Sequence, residues 1–120
     1  MPGKLVHFEL PVEDTARAKA FYGGVFGWSF GDSAMPGFDY FLVRTGEDQG
    51  GAVMASESPA TAPIVYFDTD DIDASIAKVR ELGGEAGDKQ PIPSVGWFTH
   101  CKDPEGLAFS LFQSDEAVSG

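Results

Sequence analysis

The chain has 120 residues, 42% of them hydrophobic and 22% charged, the composition of one ordinary globular domain. Its 8 basic against 19 acidic residues leave a net charge of −11, which argues against nucleic acid and anionic membrane, since both need a basic footprint. No apolar run nears the roughly 18 residues of a membrane span, and a single cysteine, Cys101, excludes an internal disulfide framework.

The opening MPGKLVHF passes straight into a strand with no secretory segment, so a cytoplasmic location is expected. Val6 to Leu10 alternates, placing Val6, Phe8 and Leu10 on one face and His7 and Glu9 on the other. Pro11 ends that ladder, and Asp14 or Thr15 serves as N-cap of a helix. Ala18, Phe21, Tyr22 and Val25 recur at helical spacing and should form its buried stripe. Gly23, Gly24 and Gly27 close the helix. Trp28 to Phe30, Tyr40 to Arg44 and Gly51 to Ala55 read as three strands separated by turn chemistry.

A linker-like segment, Ser56 to Pro63, then divides the chain, and the order begins again. Ile64 to Asp68 reads as a strand, and the acidic TDDID run suits a helix start. Ile72, Ile76, Val79 and Leu82 make the second apolar stripe, closed by Gly83 and Gly84. A strand near Glu85 to Asp88, a loop QPIPS and a strand from Gly96 to Lys102 follow. Asp103-Pro104-Glu105-Gly106 is a turn, Leu107 to Gln113 the last strand, and DEAVSG a frayed tail.

This order, with VHFELPVEDTARAKAFYGGVFGW and KDPEGLAFSLFQ at matching places, resembles the vicinal oxygen chelate superfamily, which includes glyoxalase I, extradiol dioxygenases and bleomycin-sequestering proteins. The resemblance covers about residues 4 to 114. It implies an α+β fold of two tandem βαβββ modules, about 4–56 and 63–114, forming one domain of curled mixed sheets around a cleft. It also implies, in the metal-using members, four His, Glu or Gln ligands from the first and last strands of each module.

The internal repeat tests those positions. Setting Val12-Glu13-Asp14 over Thr69-Asp70-Asp71 places His7 over Ile64, which cannot ligate a metal. The last strand carries Ser110 where the family has Glu, and GGAVMA in the first module offers no donor. Only His7 matches a ligand position, whereas a divalent ion held by protein groups normally takes at least three. No cofactor is therefore expected. The one other metal constellation in view is His7 with Glu9 and His100.

His7 should face the cleft, either as a hydrogen-bond donor or general base toward a ligand or as a remnant satisfied by water or Glu9. Glu9 reads as a counter-ion or as a solvated edge carboxylate. Trp28, Tyr66, Trp97 and Ser110 complete the expected ligand-binding set, aromatic walls with a few polar groups that suit a flat or cationic molecule. Each of these aromatics also fits as core or interface filling. Cys101 is not expected to be a nucleophile, because its neighbour His100 points to the opposite face.

The expected function is binding of a small aromatic or cationic organic ligand by a homodimer without a complete metal site. The alternatives are a metal-dependent lyase or dioxygenase related to glyoxalase I, and a non-catalytic dimeric interaction protein.

Overall fold

A computed structural model describes residues 3–47, 49–56 and 62–119, so most of the expected linker lies outside the described residues. Among them, eight strands and two helices follow in chain order: β1 (Leu5–Val12), α1 (Thr15–Phe26), β2 (Tyr40–Arg44), β3 (Gly50–Ala55), β4 (Ile64–Asp68), α2 (Ile72–Glu81), β5 (Glu85–Ala86), β6 (Gln90–Ile92), β7 (Gly96–Lys102) and β8 (Ala108–Ser114). The contacts divide the chain into two compact units, Val6–Ile64 and Met1–Leu5 with Val65–Gly120.

In the unit Val6–Ile64, Asp14 caps α1, its carboxylate accepting the Arg17 amide at 3.0 Å. The helix runs through Gly23 and Gly24 and stops at Gly27, whose φ of 74° is the left-handed cap that glycine adopts at least cost. β3 lies between its neighbours, antiparallel to β2 and parallel to β1. Register places His7 opposite Gly50 and Glu9 opposite Ala52 on one sheet face. Phe8 shares the other face, where its ring lies so close over Gly51 that a β-carbon there would collide with it.

Two expectations fail here. Phe21 and Val25, assigned to the buried stripe, are 62% and 56% exposed; only Ala18 and Tyr22 of that set are partly covered. Residues 28–30 form no strand. Trp28 instead packs its ring against Tyr22 and Phe26, at centroid separations of 5.8 and 4.9 Å, and against Phe8 at 5.8 Å. That cluster holds the segment beside the helix end rather than in a ladder.

In the other unit, Asp71 caps α2 through the Ala74 amide, and the Gln113 side-chain oxygen accepts the Ile72 amide at 2.8 Å. β4 is parallel to β8, β8 antiparallel to β7, and β7 carries both β5 and β6. Ile72, Ile76, Cys101 and Leu111 form the buried cluster, with Val79, Ala86, Trp97 and Phe109 packed on it. Each fully buried aliphatic side chain of this kind contributes about 1.5–3 kcal/mol.

QPIPS, expected as a loop, supplies the three-residue strand β6, with Pro91 opposite Trp97. A peripheral strand tolerates the missing N–H of proline. The Asp103 turn forms as expected. Asp103 O accepts the Gly106 amide at 2.9 Å, and the carboxylate takes the Glu105 and Leu107 amides. The tail is tied down rather than frayed: Val118 is buried and its carbonyl accepts the Ser94 amide at 2.9 Å.

The expectation of curled sheets around a cleft is not met. The strand order is an open path with β2 at one end and β5 at the other. Turning a sheet back on itself needs end strands long enough to find new partners, aided by bulges. Here the end strands have 5 and 2 residues, and the strand expected at 28–30 is absent.

Candidate functional site

β1 ends up with its polar residues on the sheet face away from α1, as the period-two alternation requires. Across β3 on this face stand Gly50 and Ala52, and Ala52 is fully buried. Tyr40 of β2, opposite Met54, shares this face and reaches across to β1. Tyr40 Oη lies 2.9 Å from His7 Nε2 and donates to Glu9 Oε2 at 2.6 Å, with His7 Nε2 and Glu9 Oε2 themselves 4.0 Å apart. The His7 and Tyr40 rings are near parallel, inclined by 20°.

A carboxylate oxygen only accepts, so the phenol proton points to Glu9 and the phenol oxygen accepts from His7 Nε2–H. In neutral His7 that chain of bonds is met by the Nε2–H tautomer. Burial lowers the His7 pKa from its ordinary value, and the nearby Glu9 charge opposes that shift in part. Glu9 is 9% exposed, a carboxylate kept in the sheet by the short bond from Tyr40.

Tyr40 had been read only as the start of a strand. The one local signal for it is Ala52, a small residue within β3 on the face that carries His7 and Glu9. Trp28, in the same unit, does not join His7 and Glu9. With Leu42, Val43 and Arg44 it lines an open concavity of about 460 Å³ beside the end strand β2.

The other unit brings Tyr66, Ser110 and His100 into one row across β4, β8 and β7. Ser110 is fully buried, and its Oγ lies 2.8 Å from His100 Nδ1. Tyr66, Phe98 and His100 are mutually inclined, with centroids 5.4 to 6.4 Å apart. Trp97 lies on the opposite face, against the α2 core, with Lys89 Nζ 4.5 Å above its ring. Cys101 belongs to that core, and burial raises its thiol pKa, with Arg80 opposing. A buried thiol of that kind is a poor nucleophile.

Register also completes the ligand count. Tyr66 faces Ser110 as Glu9 faces Ala52. With His7 set over Ile64 these two rows correspond, so the fourth position is Ala52. The donor set is one imidazole already bonded to a phenol, one methyl, one aliphatic chain and one hydroxyl bonded to His100. It does not fit a divalent ion. Among the described residues no group of three or more His, Cys, Asp or Glu is placed to hold one, and the His7, Glu9, His100 combination is not among such groups.

Each unit pairs the first and last strands of its repeat in parallel and covers one face with a helix, the arrangement of glyoxalase-like modules. The chain belongs to the glyoxalase/bleomycin resistance protein/dioxygenase superfamily. Residues 4–46 match the bleomycin resistance protein-like N-terminal family. A glyoxylase-like domain-containing protein of Didymella fabae is 30% identical over 118 residues, covering 91% of this chain and 92% of that protein. The putative glyoxylase CFP32 of Mycobacterium tuberculosis is 33% identical over 115 residues, which are 92% of this chain but 44% of that protein. The anthracycline biosynthesis protein DnrV of Streptomyces peucetius is 28% identical over 130 residues, 93% of this chain and 47% of that one. This chain therefore spans about half the length of these last two relatives. Among solved structures, the methylmalonyl-CoA epimerase of Mycobacterium tuberculosis shares the fold with a TM-score of 0.72 at 17% identity, over 93% of this chain and 88% of that one. Among the described residues no helix is long and apolar enough to cross a membrane.

Proposed function

We propose that this protein binds a small planar organic molecule, neutral or cationic, without a divalent metal. His7 and Glu9 of β1 are its polar contacts, with Tyr40 of β2 bonded to both. The observation that carries this reading is the bonded row His7–Tyr40–Glu9, formed where the family's metal chemistry has lost its donors. Net charge and the Glu9 carboxylate favour a cation over an anion, and an aromatic wall contributes about 0.5–2 kcal/mol toward one. The relation to an anthracycline biosynthesis protein supports a flat, ring-bearing ligand.

The protein acts as a homodimer in a reducing cytoplasm. Phe21, Val25 and Phe26, at least half exposed along α1, supply an apolar surface that a second copy would cover. The module layout is one domain divided near residues 56–63.

The test is a titration of the planar cation proflavine, followed by its fluorescence, before and after EDTA treatment. Binding is expected to survive the chelator and to weaken about tenfold in His7→Ala, the equivalent of one hydrogen bond to a partly buried group. Binding that appears only with added zinc, nickel or iron would overturn the proposal in favour of a metal-dependent enzyme.

A further inference from the structure

In the unit containing α2, the helix covers the sheet face that carries Trp97, Cys101 and Leu111. His100, Ser110 and Tyr66 lie on the opposite face, in one row across β7, β8 and β4. Ser110 is fully buried, and among the described residues the partner of its Oγ is His100 Nδ1, at 2.8 Å. A buried hydroxyl has a proton to place, and leaving it without an acceptor costs about 1–3 kcal/mol. Nδ1 is the acceptor within reach, so Ser110 donates and the neutral ring carries its own proton on Nε2. The two ring nitrogens point to different sides of the ring, which turns Nε2–H away from Ser110. His100 itself is exposed. Packing fixes the ring as well: Phe98 and Tyr66 lie 5.4 and 6.1 Å from it, inclined by 68° and 58°. A surface imidazole ordinarily turns over and exchanges its donor and acceptor. This one holds its donor outward, beside aromatic rings.

We propose that His100 is a recognition residue for a planar aromatic ligand bearing a carbonyl oxygen, which accepts from Nε2–H while the ligand's rings lie along half-buried Phe98. The site stands on this unit alone and goes beyond the binding proposed for His7 and Glu9. The outward N–H requires an acceptor. A neutral carbonyl is an acceptor that the net charge of −11 does not repel, as it would a carboxylate or phosphate. The faces of Phe98 and the His100 ring favour a flat apolar frame. Ser110 is a positioning residue. With no exposed surface it neither meets the ligand nor serves as a nucleophile, and it acts by setting the His100 tautomer. No bond is made or broken in the ligand.

The test uses two probes of matching shape, 2-acetylnaphthalene and 2-isopropylnaphthalene, in which a methyl stands in place of the ketone oxygen. Fluorescence titration gives, for each protein, the ratio of affinities in favour of the ketone. Comparing that ratio between proteins cancels the difference in hydrophobicity between the probes. His100→Phe keeps an aromatic ring but has no N–H, and should lower the ratio about fivefold, the worth of one hydrogen bond between neutral groups. His100→Phe combined with Ser110→Ala leaves no orphaned hydroxyl and should lower it equally; this pair keeps the test open if the single variant does not fold. Nitrogen-detected NMR of the neutral histidine rings, with no probe present, should show His100 as the Nε2–H tautomer in wild type. In Ser110→Ala a share of the Nδ1–H form should appear.

A ratio unchanged by loss of the imidazole overturns the site, as does failure of wild type to bind the ketone. A wild-type His100 with its proton on Nδ1, or a tautomer unmoved by Ser110→Ala, overturns the part given to Ser110. Proflavine has no carbonyl, so each of these results leaves the binding proposed for His7 and Glu9 standing.

Discussion

His7 combines two opposing influences, burial that disfavours its charge and Glu9 that favours it, and burial is the stronger. A histidine whose pKa is lower in the folded protein than in the unfolded chain takes up its proton more readily when unfolded. Its contribution to stability is therefore complete above the ordinary value of 6.5 and declines as pH falls below it. Urea unfolding of wild type and His7→Gln at pH 7.5 and 5.5 measures this. The stability advantage of wild type over the variant should be smaller at the lower pH. An advantage independent of pH would show that His7 does not titrate differently in the two states. Gly51 is a second residue whose chemistry is forced by its surroundings. Gly51→Ala places a methyl against the Phe8 ring and should cost about 1–3 kcal/mol in the same assay, the usual penalty of overpacking. Alternation along β1 predicted that His7 and Glu9 share a face, since that follows from neighbours two residues apart. Tyr40 was not legible as a site residue, because its partners are 33 and 31 residues away and reach it only through the register of β3.

The two helices make opposite use of their apolar residues. α2 buries Ile72 and Ile76 against Leu111 and Cys101 with Val79 packed on them, as helical spacing predicts, but Leu82 of the same expected stripe is 68% exposed. Ile76→Ala should cost about 2–5 kcal/mol, measured by denaturant unfolding. α1 has the same spacing but leaves Phe21 and Val25 outside. Periodicity identifies an apolar face without saying whether a sheet of the same chain or another molecule covers it. If a second copy does, Phe21→Lys with Phe26→Glu should convert a dimer to a monomer in size-exclusion chromatography with light scattering. A monomeric wild type at micromolar concentration would rule out that use of α1. Helix starts were readable near Asp14 and in the TDDID run because caps and first-turn charges act within a few residues; the structure places the caps at Asp14 and Asp71. The strand expected at 28–30 was not realised, because the ring of Trp28 found Tyr22, Phe26 and Phe8.

At the scale of the whole molecule, the net charge of −11 sets up self-repulsion in the folded state. Raising the salt from 0.05 to 0.5 M shortens the screening length to a few ångströms and should raise the melting temperature, by about 4 °C for each kcal/mol of repulsion relieved. A flat melting temperature across that range would mean that the acidic residues are already well separated or paired. The sequence by itself determined where the two helices begin, the Asp103 turn, the two repeats and the poverty of metal donors, because each depends on residue type at short range or on position within a repeat. Tertiary structure alone decided that the strand path stays open and that Trp97 packs with α2 while Tyr66 stands with Ser110 and His100. It also placed a phenol between imidazole and carboxylate. These outcomes depend on which distant strands pair and in what register, and no local pattern carries that information.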